Sequence, residues 1–210
     1  MKILGTTLMA LFLAGCSIVG HSEVETAPYT LLKADEKQKI EVRRYDNMIL
    51  VSTSMAEGRN TAFRKLFRYI SGDNTLATPI AMTAPVFMDN NTAASAPKGT
   101  EIAMTAPVFM NNSEADTLMS FVMPKTFTLD TTPKPNDPSV NVSEVNDYTV
   151  AAIQFSGTLS KSNVAKYTKQ LETWMAANGY TAASAPIEAG YNGPLTLPML
   201  RRNEILISLQ

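Results

Sequence analysis

Ile40-Glu41-Val42-Arg43-Arg44-Tyr45 alternates apolar and polar residues, the period-two pattern of a strand with one buried face. Asp46-Asn47 supplies turn chemistry, and residues 48–55 read as the strand returning beside the first. A helix is expected next, because Ala62, Phe63, Leu66, Phe67 and Ile70 recur at spacings of three and four. Asn60 is its candidate cap and Ser71-Gly72 its stop, while Arg59, Arg64, Lys65 and Arg68 occupy much of the remaining surface. Further strands are expected over 80–88, 102–110 and 118–123, with Pro85 and Pro107 demanding an edge, a bend or a bulge.

The same order of elements then returns with different residues. Residues 140–145, a turn at Asn146-Asp147 and residues 148–155 match the first hairpin. A helix from about residue 162 to 177 carries Val164, Tyr167, Leu171, Trp174 and Met175 on one side, ends at Asn178-Gly179, and is followed by a closing strand over 204–209. Thr131-Thr132-Pro133-Lys134-Pro135-Asn136-Asp137-Pro138 is a stiff connector between the halves. Two hairpin-helix-strand halves predict an α+β domain with a pseudo-twofold axis, its antiparallel strands forming a curved sheet or open barrel with both helices packed on it. A cleft between a helix and that sheet is the natural place for a ligand.

Upstream, residues 1–14 carry one charge, Lys2, then an almost unbroken apolar run, too short to span a bilayer comfortably. Leu13-Ala14-Gly15-Cys16 resembles a lipobox, so residues 1–15 read as a lipoprotein signal peptide and Cys16 as the acceptor of palmitate-type acyl chains. Several chains on one residue hold a protein to a membrane far better than one. Ser17, where Asp would resemble an inner-membrane retention signal, points to the outer membrane and a domain facing the periplasm. Residues 16–39, polar and unpatterned, are expected to be a tether, and residues 40–210 the folded domain.

Composition narrows the function classes. The 210 residues hold 18 Lys and Arg against 19 Asp and Glu, which leaves no electrostatic footprint for nucleic acid. Cys16 is the only Cys, so the domain has no disulfide. The one His, His21, lies in the tether, which removes Ser-His and Cys-His nucleophile pairs from the domain. No HExxH, CxxC, P-loop or dinucleotide motif occurs. Glu41, Glu144 and Glu204 are candidate acids, but carboxylates near strand ends are usually solvated or paired, here with neighbours such as Arg201 and Arg202. A non-catalytic binding protein is the expectation.

The most specific feature is Ile80-Ala81-Met82-Thr83-Ala84-Pro85-Val86-Phe87-Met88, repeated unchanged over residues 102–110. In an extended chain Ile80, Met82, Ala84, Val86 and Met88 share one face, and Ala81, Thr83, Pro85 and Phe87 the other, unless Pro85 interrupts. The two copies are expected as neighbouring strands of one sheet.

This motif, residues 62–72, the 133–138 connector, Ala189-Gly190-Tyr191-Asn192 and Leu197-Pro198-Met199-Leu200-Arg201-Arg202-Asn203-Glu204 together resemble the SOUL haem-binding protein family from about residue 40 to 209. The resemblance implies a twisted β-barrel of two pseudo-symmetric halves flanked by two long helices, similar to the ligand-binding domains of GyrI-like regulators. It also implies haem or another planar tetrapyrrole in an apolar groove beside the first helix. Carried over by position, Phe63 and Phe67 contact the ring and Arg68 meets a propionate, roles that suit aromatic faces and paired guanidinium donors. A His axial ligand is excluded within the domain, leaving Met or Tyr in principle. A basic residue that animal members carry near the last strand is Leu197 here.

Other occupants are conceivable on the same residues: another apolar small molecule or a partner protein in the groove, or Cu(I) held by Met82, Met88, Met104 and Met110, since thioethers favour that ion. Met is also a common core filler.

Overall fold

A computed structural model describes residues 25–76, 80, 83–89, 117–193 and 195–210. The leader, Cys16, His21 and the second nonapeptide lie outside the described residues. In chain order the elements are β1 (Glu25–Thr26), β2 (Thr30–Asp35), β3 (Ile40–Ser54), α1 (Arg59–Ile70), β4 (Thr83–Asp89), β5 (Leu118–Val122), β6 (Val140–Phe155), α2 (Lys161–Ala177), β7 (Ile187–Gly190), a 3₁₀ turn (Pro198–Leu200) and β8 (Asn203–Ser208).

The sheet runs β1-β4-β5-β3-β6-β8-β7, and β4 also pairs with β7. That last pairing closes β4, β5, β3, β6, β8 and β7 into an antiparallel barrel. Each half is one long strand, one helix and two short strands, β3-α1-β4-β5 and β6-α2-β7-β8. The expected α+β pseudo-twofold barrel with two flanking helices is present.

Neither expected hairpin exists. β3 and β6 are single strands that pair from Ile40↔Ile153 to Thr53↔Val140 without a register shift, and Asn47 stands opposite Asn146 in mid-ladder. The turn-forming residues are spent on a kink instead. Asp147 takes φ 50°, a conformation that Asp and Asn tolerate better than most residues. Tyr45 and Met48, three residues apart, both belong to the barrel-interior cluster, which strict alternation forbids. Consequently Ile40 and Val42 lie with α2, whereas Ile49 and Val51 lie with α1. One long strand thereby serves both helices.

The expected tether is also corrected. Residues 30–35 form β2, antiparallel to β3, and Glu25–Thr26 pairs in parallel with β4. β2 is exposed on nearly every residue, so hydrophobic alternation had nothing to report there.

Three apolar clusters result. Side chains from all six barrel strands, among them Tyr45, Phe87, Val122, Tyr148, Ala189 and Leu206, fill the interior. A second cluster lies under Ala62, Leu66, Tyr69 and Ile70 of α1, and a third under Leu171, Trp174 and Met175 of α2. α1 starts behind Gly58, at φ 95° and without a side-chain cap, so Asn60 sits inside the first turn rather than capping it. Ser160 caps α2, its Oγ accepting from the Asn163 N–H at 3.3 Å. Pro85 does mark a break: the β4–β5 register shifts between Thr83 and Val86, and Ala84 and Phe87 face the interior while Met88 packs with α1.

Candidate functional site

Helix α1 turns about 100° per residue, which divides its sides. Ala62, Leu66, Tyr69 and Ile70 are buried against β3 and β5. Phe63 and Phe67 follow on one shoulder, stacked with ring centroids 6.0 Å apart and planes 15° apart. Phe63 is half-buried and meets Phe121 edge-on at 5.5 Å. Phe67 remains 47% exposed. Phe63 is therefore partly core and Phe67 is surface.

Arg68 comes round the opposite shoulder, toward the inter-half connector, and its Nη2 donates to Asp137 Oδ2 at 3.1 Å. The Ser139 hydroxyl and N–H, which both donate to Asp137, hold that carboxyl below its ordinary range. Phe67 and Arg68 thus point apart by about 100°, and the sequence brings them together only in number. Arg64, three residues before Phe67, is exposed and has no ion pair among the described residues. Sequence reading left it on a solvated face.

Arg59 straps the start of α1 to β7, donating to both oxygens of the nearly buried Glu188 at 3.0 and 2.8 Å. On this side the half-buried Val86 and Leu159 border the α1 cluster, and a Cβ placed on Gly190 would stand 3.7 Å from Leu159 Cδ1. The Gly157 N–H donates to the Pro198 carbonyl at 2.8 Å, which ties the 3₁₀ turn to the same region. Around that turn Leu195, Leu197, Met199 and Leu200 are all exposed. Sequence reasoning missed this patch, although several large apolar residues without strand or helix spacing were the available signal.

The barrel interior offers a guest little room. Besides its apolar filling it holds Glu204, fully buried, between Arg43 (2.7 and 2.9 Å), Arg202 (2.7 Å) and the Tyr191 hydroxyl (2.7 Å). Arg43 also donates to Glu41 at 2.7 Å and lies over the Tyr29 ring, and Arg202 lies over the Tyr191 ring. Burial alone would raise the Glu204 pKa; hydrogen bonds and charge from Arg43, then Arg202 and Tyr191, reverse this and hold it below the usual value. Burial, then Glu204, pushes the Tyr191 phenol well up. The candidate acid Glu204 is thus paired with Arg202, as expected, and more tightly with Arg43, which the sequence did not single out. Glu144 accepts from Asn47 at 2.8 Å. Met88 is buried in the α1 cluster, and Met82, Met104 and Met110 lie outside the described residues.

A cleft of about 690 Å³ opens elsewhere, between β2 and α2, lined by Lys33, Asp35, Lys166, Lys169 and Trp174 among others. Its wall mixes apolar and charged groups, and the Trp174 ring in it is already engaged by Lys33 and Tyr180.

Comparison with known proteins agrees with this architecture. The chain is 24% identical to heme-binding protein 1 of Sus scrofa over 189 residues, covering 87% of this chain and 91% of that protein. An uncharacterized conserved protein from Listeria innocua shares the fold at a TM-score of 0.55 and 12% identity, over 82% of this chain and 93% of its own. A hydrolase from the same organism does so at 0.54 and 9% identity, over 82% and 92%. Both likenesses speak to fold alone. The SOUL heme-binding protein family matches residues 24–208, and the chain belongs to that family.

Proposed function

We propose that this protein is a lipid-anchored envelope protein that binds haem or a similar planar tetrapyrrole, without catalysis, on the Phe63–Phe67 shoulder of α1. The observation that carries the reading is the stacked pair itself, whose outer ring, Phe67, is left uncovered. An exposed aromatic face matches a flat macrocycle. The family membership and the heme-binding relative support the ligand class.

The charges call for a different assignment from the one implied by position. Among the described residues Arg64 is the α1 cation without an ion pair, and it stands one helical turn from Phe67, so it is the first partner for a propionate. Arg68 serves only by giving up Asp137. Haem would supply a planar iron-bearing ring. This chain would bind its face through Phe67, attract its carboxylates through Arg64, and hold it without His ligation. Cys16, Ser17 and the preceding apolar run support anchoring at the outer membrane on the periplasmic side.

Titrating hemin into the mature chain should give a saturable Soret change that Arg64→Ala weakens more than Arg68→Ala. A linear, unsaturable response would reject haem binding. Ligand extraction from natively purified protein, followed by mass spectrometry, separates haem from another apolar molecule in the same groove. Metabolic labelling with palmitate, lost in Cys16→Ala, tests the anchor.

A further inference from the structure

The duplicated nonapeptide plays no part in haem binding as read above. Its first copy supplies Ile80 and the body of β4. That strand is held on both edges, antiparallel to β5 and to β7, with β1 parallel to its start at Thr83 and Ala84. Ala84 and Phe87 point into the barrel, while Ile80 and Met88 pack with α1. The Ile80 N–H also donates to the Ile70 carbonyl at the end of α1, at 2.5 Å.

Each of these residues recurs 22 positions later, as Ile102, Ala106, Phe109 and Met110, in an identical run of nine. A slot that recognises the first copy by backbone pairing and side-chain shape has no chemical means of refusing the second. Only the connections differ. With residues 80–88 in place, nine residues join α1 to the strand and 28 join β4 to β5. With residues 102–110 in place, Asn111 takes the position of Asp89, six residues remain for the β4–β5 turn, and 31 precede the strand. Six residues suit a hairpin connection. Because closure entropy grows only with the logarithm of loop length, the two arrangements differ by less than about twofold in population from this cause.

We propose that the β4 position is a strand-binding slot with two interchangeable occupants in the same chain, residues 80–88 and residues 102–110.

Phe87 is the probe, since it is buried inside the barrel and its counterpart is Phe109. An Asp there is incompatible with the interior. In the mature chain, Phe87→Asp and Phe109→Asp should each lower Tm by less than about 3 °C, because the intact copy takes the slot. The double variant should lose more than about 10 °C. A Phe87→Asp chain that falls as far as the double variant overturns the proposal. A cross-link supplies a reading that does not depend on stability. Ala189 is the pairing partner of Phe87, so in a Cys16→Ser background Phe87→Cys/Ala189→Cys and Phe109→Cys/Ala189→Cys should both form an intramolecular disulfide on mild oxidation. If the second pair links only between chains, or not at all, the second copy does not enter the slot of its own chain.

Discussion

The two helices occupy equivalent places in a pseudo-twofold fold, yet they treat their aromatic residues differently. On α2, Tyr167 stacks on Phe155 with centroids 4.1 Å apart, and Trp174 stacks on Tyr180 at 5.7 Å. Lys33 stands 5.3 Å over the Trp174 ring, and the indole N–H donates to Asp35 at 2.9 Å. Each α2 ring is thus stacked on a ring from outside the helix, and Trp174 is buried. On α1, Phe63 finds Phe121, but among the described residues Phe67 stacks only on Phe63, and it stays 47% exposed. Aromatic content therefore does not locate a binding face; an aromatic ring without a second partner does.

That contrast can be broken from below or sharpened from above. The largest effect is expected in the barrel both helices share. Arg43→Ala leaves Glu204 buried with its strongest partner gone, and should cost about 3–5 kcal/mol in urea unfolding. Trp174→Ala comes next, at about 3 kcal/mol, because it opens a cavity under α2. A comparable loss from Phe67→Ala would erase the distinction between the helices.

Acid offers an intermediate test. The Glu204 pKa is lowered in the folded protein from its ordinary 4.5, so its contribution is fully present above that value and disappears as pH falls through the folded pKa. The Tm difference between the unaltered chain and Glu204→Gln should accordingly be constant near neutrality and shrink below about pH 4. A difference that widens in acid would show that Glu204 is not held ionised. The smallest effect is Phe67→Ala itself, below about 1 kcal/mol, as for an exposed side chain.

How much of this was legible depended on what each residue faced. α1 and α2 were, because each buries a stripe against the sheet and so writes a spacing of three and four into the chain. The 46–47 and 146–147 kinks were misread as hairpins because Asn and Asp signal any tight or left-handed backbone, and a kink within a strand uses the same chemistry as a turn. β2 was invisible because an edge strand exposed on nearly every residue need not alternate. At the site, the spacing of Phe63 and Phe67 correctly put them on one shoulder, but it could not tell which was covered. Arg68 was drawn to the site by its place in the chain, whereas its direction was decided by Asp137, some seventy residues away.

The most direct test is a hemin titration of two variants side by side, Phe67→Ala on α1 and Tyr167→Ala on α2. If the uncovered ring is the binding face, Phe67→Ala weakens hemin at least about tenfold, roughly 1.4 kcal/mol, while Tyr167→Ala leaves affinity unchanged despite its lower stability. Equal affinity in both variants, or a loss confined to Tyr167→Ala, would contradict the assignment.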